Sequence, residues 1–202
     1  AKEYKYAKRV DIIPNYINNI KSHVEDYSVK KAIAVGRLEY QKGFDILIDC
    51  WKEIAKRYPD WKLDIYGEGS CREELQRQIN SLQLVDKVKL CDRNNNIIEI
   101  YTQYSLHLMT SRYEGLPMTL IEAQACGLSS VVFDYQYGAS DIVSNGHNGL
   151  IIEQGNSKLF IEAVMKIMSS KELRKEYGIN ALEIGKRYSK ENIFKKWIKL
   201  IT

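Results

Sequence analysis

Apolar and polar positions along the chain follow two periods in turn. KAIAVG (31–36) is a short apolar run of the kind that forms a buried strand. FDILIDCWKEIAKRY (44–58) repeats apolar residues at helical spacing, at Phe44, Leu47, Ile48, Trp51, Ile54 and Ala55, until Pro59 stops it. WKLDIYG (61–67) is strand-like and CREELQRQINSLQL (71–84) predicts an amphipathic helix. The same reading gives a strand at VKLC (88–91), a helix near 96–104 and a strand at LHLMT (106–110). It then gives a helix at PMTLIEAQACG (117–127) and strands at LSSVVFD (128–134) and NGLIIE (148–153). Three helices follow, near 157–169, 171–187 and 190–201. Ahead of the first run, Val10-Asp11-Ile12-Ile13 predicts a short strand ending at Pro14-Asn15, and residues 16–30 are polar with no clear period, as in a linker.

Strands and helices alternating over short connections predict βαβ units. The expected fold is α/β: a doubly wound, Rossmann-like parallel sheet of about six strands with helices on both faces. Ligands of such sheets bind beyond the carboxyl ends of the strands, so those loops are where chemistry is sought.

Composition narrows the classes. In 202 residues, 45% hydrophobic and 28% charged, there is enough apolar material for a sizeable core. Thirty Lys and Arg against 26 Asp and Glu leave a net charge of +4, less than a dedicated nucleic-acid binder carries. No apolar run approaches the ~18 residues that span a bilayer. Cys50, Cys71, Cys91 and Cys126 form no CxxC pair, His23, His107 and His147 include no HExxH, and no Asp-x-Asp is present. Reduced thiols in a cytosolic protein, and chemistry without a metal, are expected. The chain opens on Ala1 and a polar stretch, which reads as the interior of a longer protein.

The loop after strand 31–36, Gly36-Arg37-Leu38-Glu39-Tyr40-Gln41-Lys42-Gly43, places Arg37 and Lys42 between two glycines at a helix start. A forked guanidinium, a point-charge ammonium and free N–H groups together suit a phosphate, although two solvated loop charges would look the same. Gly67-Glu68-Gly69 begins like a dinucleotide fingerprint but has Arg72 at the third glycine position. A tight turn into a helix capped by Ser70 accounts for it. No GxxxxGK is present, which excludes a P-loop NTPase. In Ser111-Arg112-Tyr113-Glu114-Gly115-Leu116-Pro117-Met118-Thr119, Pro117 fits the first helical position. Glu114 then lies before the helix and Glu122 about one and a half turns inside it, among apolar neighbours.

GRLEYQKGFDILIDCW, IYGEGSCREEL, SRYEGLPMTLIEAQACG and YGASDIVSNGHNGLII, in this order, resemble the retaining glycosyltransferases of family 4, of GT-B architecture. The likeness is to the donor-binding C-terminal half and runs from Val10 onward. It implies that Arg37 and Lys42 hold the donor diphosphate, that Glu114 contacts the transferred sugar and that Glu122 binds the ribose hydroxyls. It also implies that Gly36 belongs to the donor loop and that Gly115, Leu116, Met118 and Thr119 lie where backbone N–H groups meet sugar and phosphate. Glu114, Arg37 and Lys42 are the implied catalytic set. Two departures stand out: Asp92 replaces a frequent glycine beside the nucleobase, where Arg93 is the candidate contact, and Tyr137 and Asp141 stand where a Gly-Gly pair and a glutamate are common.

By this resemblance, residues 1–30 are an interdomain linker and lead-in, and 31–202 a nucleotide-sugar-binding domain. The implied enzyme is a metal-independent retaining transferase, moving a hexosyl-type sugar from a nucleotide-diphosphate sugar (UDP by default) to a hydroxyl on a glycan or lipid-linked acceptor, in bacterial surface glycan synthesis. The acceptor domain would be N-terminal and missing, leaving this fragment to bind donor without efficient turnover. Residues 189–202 (ENIFKKWIKLI at their centre) would pack toward that domain. Their basic side also suits an anionic membrane surface, or simply solvent, at a cytoplasmic location. A sugar-nucleotide epimerase of the same architecture and a non-catalytic binding module are the alternatives.

Overall fold

A computed structural model describes residues 11–135 and 138–201. The strands are β1 (Lys31–Val35), β2 (Lys62–Tyr66), β3 (Val88–Cys91), β4 (Leu106–Met109), β5 (Ser129–Asp134) and β6 (Gly149–Glu153). The helices are α1 (Phe44–Arg57), α2 (Arg72–Ser81), α3 (Ile97–Tyr101), α4 (Met118–Ala125), α5 (Ala139–Ile142), α6 (Ser157–Ser169), α7 (Lys171–Arg187) and α8 (Lys190–Ile201). The strands form one sheet in the order β3-β2-β1-β4-β5-β6, every neighbouring pair parallel. This is the doubly wound, Rossmann-like architecture that the alternating periods predict.

Both faces of the sheet are covered, which is why its strands read as apolar runs rather than as alternating sequences. Ala32 and Ala34 of β1 and Val131 and Phe133 of β5 face a core built with α1, α2 and α6, in which Trp51 and Phe160 are fully buried. Ile33 and Val132 point the other way, toward α3, α4, α5 and the inner side of α7. Period-2 alternation therefore survives as a choice between two cores. Sidechain caps start the later helices: Asn156 accepts from the Leu159 amide at 3.1 Å and Ser170 from the Leu173 amide at 3.1 Å.

Three local expectations fail. Asp11–Ile13 belong to no strand, and Ile12 is 88% exposed; Val10 is outside the described residues. The Ile17 amide donates to the Tyr188 carbonyl at 2.9 Å. Within the aperiodic stretch 16–30, Ile17, Val24 and Tyr27 are buried at irregular intervals, and the Tyr27 hydroxyl donates to the Gly127 carbonyl at 3.0 Å. Ser70 does not cap α2. Its amide and hydroxyl both donate to the Glu39 carboxylate at 2.8 Å, a charged acceptor that wins over the helix end. Pro117 stands just before α4, one residue ahead of its expected place.

Candidate functional site

β1 and β4 are neighbours at the middle of the sheet, yet the chain leaves β1 toward β2 and β4 toward β5. Strand order reverses between them, and the loops after them, 36–43 and 110–117, open a crevice there. The two loops are tightly joined. Gly43 has φ +64°, and a Cβ on it would lie 2.1 Å from the Thr110 carbonyl oxygen, so only glycine fits. The Thr110 hydroxyl donates to the Gly43 carbonyl at 2.8 Å and the Arg112 amide to the Gln41 carbonyl at 2.8 Å. Arg112 lies 3.8 Å over the Tyr40 ring and grips Asp45 with two hydrogen bonds of 2.8 and 2.5 Å. Burial works against ionisation of Asp45, but these bonds and the Arg112 charge outweigh it and hold the carboxyl below its usual range.

At the base of this joint, Lys42 Nζ meets Glu114 Oε1 at 2.6 Å, with side chains 13% and 7% exposed. The same oxygen accepts from the Ser111 hydroxyl at 2.7 Å. The stem of Lys42 runs over Gly36, where a Cβ would come within 3.0 Å of it. His107 of β4, fully buried, has Nδ1 3.2 Å from the Ser130 hydroxyl. Burial, and secondarily the Lys42 charge, push its pKa down to about 3, so its imidazole is neutral.

Beside the ion pair, a cleft of about 560 Å³ is bordered by Gly36, Arg37, Tyr66, Arg93, Thr119 and Glu122. Burial raises the pKa of Glu122. The first helical amides of α4 to find a carbonyl are Leu120 and Ile121, both bonded to Pro117, at 3.1 and 3.2 Å. The amides of Met118 and Thr119 therefore have no carbonyl partner among the described residues, and a partial positive charge faces the cleft. The Thr119 hydroxyl is buried with no hydrogen-bond partner among the described residues, an orphan donor in the wall of the cleft. Tyr66 is fixed from behind: its hydroxyl is 3.2 Å from that of Tyr104, which donates to Asp64 at 2.6 Å.

The expected site residues thus separate into groups. Gly36, Arg37, Arg93, Thr119 and Glu122 surround the cleft, and Lys42 and Glu114 pair at its side. The Leu116 and Met118 side chains pack on the core beneath, which leaves their expected role to the backbone N–H groups, and Gly115 lies at the turn beside Gly138. Asp92 forms a 2.9 Å ion pair with Arg72, the Asp141 carbonyl accepts from Arg187, and Tyr137 is outside the described residues. Four participants carry no sequence signal of their own: Gln41, Ser111, the Thr119 hydroxyl and Tyr135. The Tyr135 hydroxyl, just beyond β5, is also buried without a partner among the described residues. Each is a single polar residue in a loop or an apolar run. A larger groove, about 1030 Å³, lies between residues 18–23, α7 and α8; Lys186, Lys190 and Glu191 line it, but none of its described lining residues has a buried side-chain polar atom without a partner. Among the described residues no cluster of three or more His, Cys, Asp or Glu is arranged to hold a metal ion, and no helix is long and apolar enough to cross a membrane.

Known proteins resemble this chain over most of its length. Residues 16–183 match the family described as Glycosyl transferases group 1. The amylovoran biosynthesis glycosyltransferase AmsD of Erwinia amylovora is 34% identical over 190 residues, covering 93% of this chain and 53% of that protein. The poly(ribitol-phosphate) alpha-N-acetylglucosaminyltransferase of Staphylococcus aureus is 29% identical, covering 96% of this chain and 42% of that one. A solved structure of S. aureus TarM, in complex with fondaparinux, alpha-GlcNAc-glycerol and UDP, superposes with a TM-score of 0.91 at 27% identity, over 98% of this chain and 40% of that one. The chain spans about half the length of the first of these relatives and less of the others. With most of its length matched, fold included, the chain belongs to the group 1 glycosyl transferases.

Proposed function

We propose that the chain is the donor-binding, C-terminal half of a retaining family 4 glycosyltransferase of GT-B architecture. It would serve an enzyme that moves a hexosyl-type sugar from a UDP-sugar to a hydroxyl acceptor in bacterial surface glycan synthesis. The observation that carries this reading is the cleft itself. Arg37, the unbonded α4 amides and the orphan Thr119 hydroxyl converge on one space, with Lys42 and Glu114 at its side. The UDP held by TarM and the transferase names of the relatives support the same reading.

In this scheme the diphosphate lies against Arg37, Lys42 and the start of α4. As the bond from the anomeric carbon to the diphosphate breaks, negative charge grows on the departing phosphate oxygen. The two cations and the helix amides face that charge, so the protein's own groups stabilise it without a metal ion. Glu114 accepts from hydroxyls of the sugar, Glu122 accepts from the ribose, and Arg93 lies on the nucleobase side. The acceptor arrives from the N-terminal half. On α8, Ile193 is buried while Phe194, Trp197 and Ile201 are exposed, and this outward apolar side packs on that half. The 202-residue chain alone then binds donor and turns it over poorly.

Calorimetric titration of the chain with UDP, GDP and ADP and their sugar conjugates tests the reading. Saturable binding of UDP and UDP-sugars is expected; heat from none of the nucleotides would overturn it. Retention is checked in the full-length enzyme by the NMR coupling constant of the new anomeric proton.

A further inference from the structure

Gln41 has no part in the scheme above, yet it touches both loops of the crevice. Its Oε1 accepts from Arg37 Nη2 at 3.1 Å. Its Nε2 donates to the Tyr113 carbonyl at 2.9 Å and lies 3.5 Å from Glu114 Oε2. A guanidinium only donates and a carbonyl only accepts, so the two neighbours fix which end of the amide faces which loop. The backbone of Gln41 is held as well, its carbonyl accepting from the Arg112 amide. The side chain therefore extends from a rigid turn.

The two cations of the site are held by different chemistry. Lys42 meets a carboxylate, which neutralises it. The side chain that hydrogen-bonds Arg37 is a neutral amide, which orients the guanidinium without pairing its charge, and the Glu39 carboxylate that also feels Arg37 is itself bonded by the Ser70 amide and hydroxyl. Placing Arg37 costs rotamer entropy that a ligand would otherwise supply on binding. The opposite end of the amide ties down the carbonyl immediately before Glu114.

We propose that Gln41 is a positioning residue. It holds Arg37 in place at full charge for an anionic phosphate and tethers the Tyr113–Glu114 segment to the same turn, so that the phosphate side and the sugar side of the site keep one geometry. The anion it serves rests on the nucleoside-diphosphate reading given above, whereas the tether to Tyr113 does not depend on it.

A double-substitution cycle on UDP affinity separates positioning from general weakening. Gln41→Ala should weaken UDP by about threefold to tenfold, the worth of one net hydrogen bond. Arg37→Ala should weaken it by about tenfold to a hundredfold, and the double variant should match Arg37→Ala within about twofold, because Gln41 acts through Arg37. Losses that multiply in the double variant would overturn the coupling to Arg37. Gln41→Glu keeps the acceptor for Arg37 but neutralises it, and should bind UDP no better than Gln41→Ala; recovery of wild-type affinity would also count against the proposal. The tether is read without ligand, from the Tyr113 carbonyl ¹³C shift, which should move upfield in Gln41→Ala and stay put in Arg37→Ala. An unmoved Tyr113 signal in Gln41→Ala would overturn it. If the wild-type chain binds no nucleotide, the functional reading fails and the Tyr113 signal alone decides for or against Gln41.

Discussion

Lys42 and Arg174 are both cations taken largely out of water, and they are held in opposite ways. Arg174, 4% exposed, donates to the carbonyls of Tyr27, Ile167 and Met168 at 2.8–3.0 Å and lies 5.0 Å from the centre of the Trp61 ring. Two of those carbonyls end α6, where the helix dipole is negative. Its partners are backbone and cannot leave. Lys42 instead meets one side-chain carboxylate, Glu114, beside the cleft. A cation tied to main-chain carbonyls locks packing, while one tied to a side chain can exchange that partner for a ligand.

The largest effect expected from this difference is on catalysis. In the full-length enzyme Lys42→Ala should reduce sugar transfer roughly 10²–10³-fold, as loss of one charge-stabilising donor does, with a smaller change in thermal stability than Arg174 substitution brings. Undiminished turnover would remove Lys42 from the phosphate grip. Arg174→Met should do the reverse. Loss of its charge-assisted bonds costs about 3 kcal/mol, seen as a fall of about 6–12 °C in Tm by calorimetry, with UDP affinity within about twofold of wild type. Glu122→Gln should weaken UDP by about tenfold or more, the worth of a hydrogen bond to a charged acceptor. Because burial raises its pKa, wild-type affinity should fall as the medium is acidified through that raised value, and the Gln variant should lack this fall.

The last effect is a titration, small near neutral pH. His107 has a folded pKa near 3 against 6.5 for the unfolded chain. Between those values the unfolded chain binds the proton and the folded one does not. Stability therefore falls as pH drops below 6.5, with a slope of at most about 1.4 kcal/mol per pH unit from this residue. Removing the Lys42 charge should raise the His107 pKa while leaving it well below 6.5, since burial is the larger cause; ¹H–¹⁵N spectra of the imidazole follow it. An unchanged His107 would mean that the Lys42 charge is not felt inside the sheet.

Much of this fold was legible because a parallel sheet covered on both faces turns each strand into a short apolar run. The runs at 31–36, 61–67 and 128–134 are β1, β2 and β5 within a residue or two, and α6, α7 and α8 match residue for residue. Legibility ended where one long-range partner decides a local outcome. Ile12 had the pattern of a strand and belongs to none, Ser70 had the form of a cap and found Glu39, and the four-residue α5 is too short to show a period. In the site, the motif order brought out Arg37, Lys42, Glu114 and Glu122. Gln41 and the Thr119 hydroxyl, as distinct from the Thr119 amide, stayed hidden because a lone amide or hydroxyl signals nothing until the chain folds and its partner, or its lack of one, is seen.

The hydrogen bond from Ile17 to Tyr188 has a mechanical meaning. It brings the strand of chain that leads into the α/β body and the one that leaves α7 to a single corner. Tension applied at these two points is borne first by that corner, not by the sheet. With its entry and exit side by side, the body has the end-to-end spacing at which a domain can be joined into a host by short connectors.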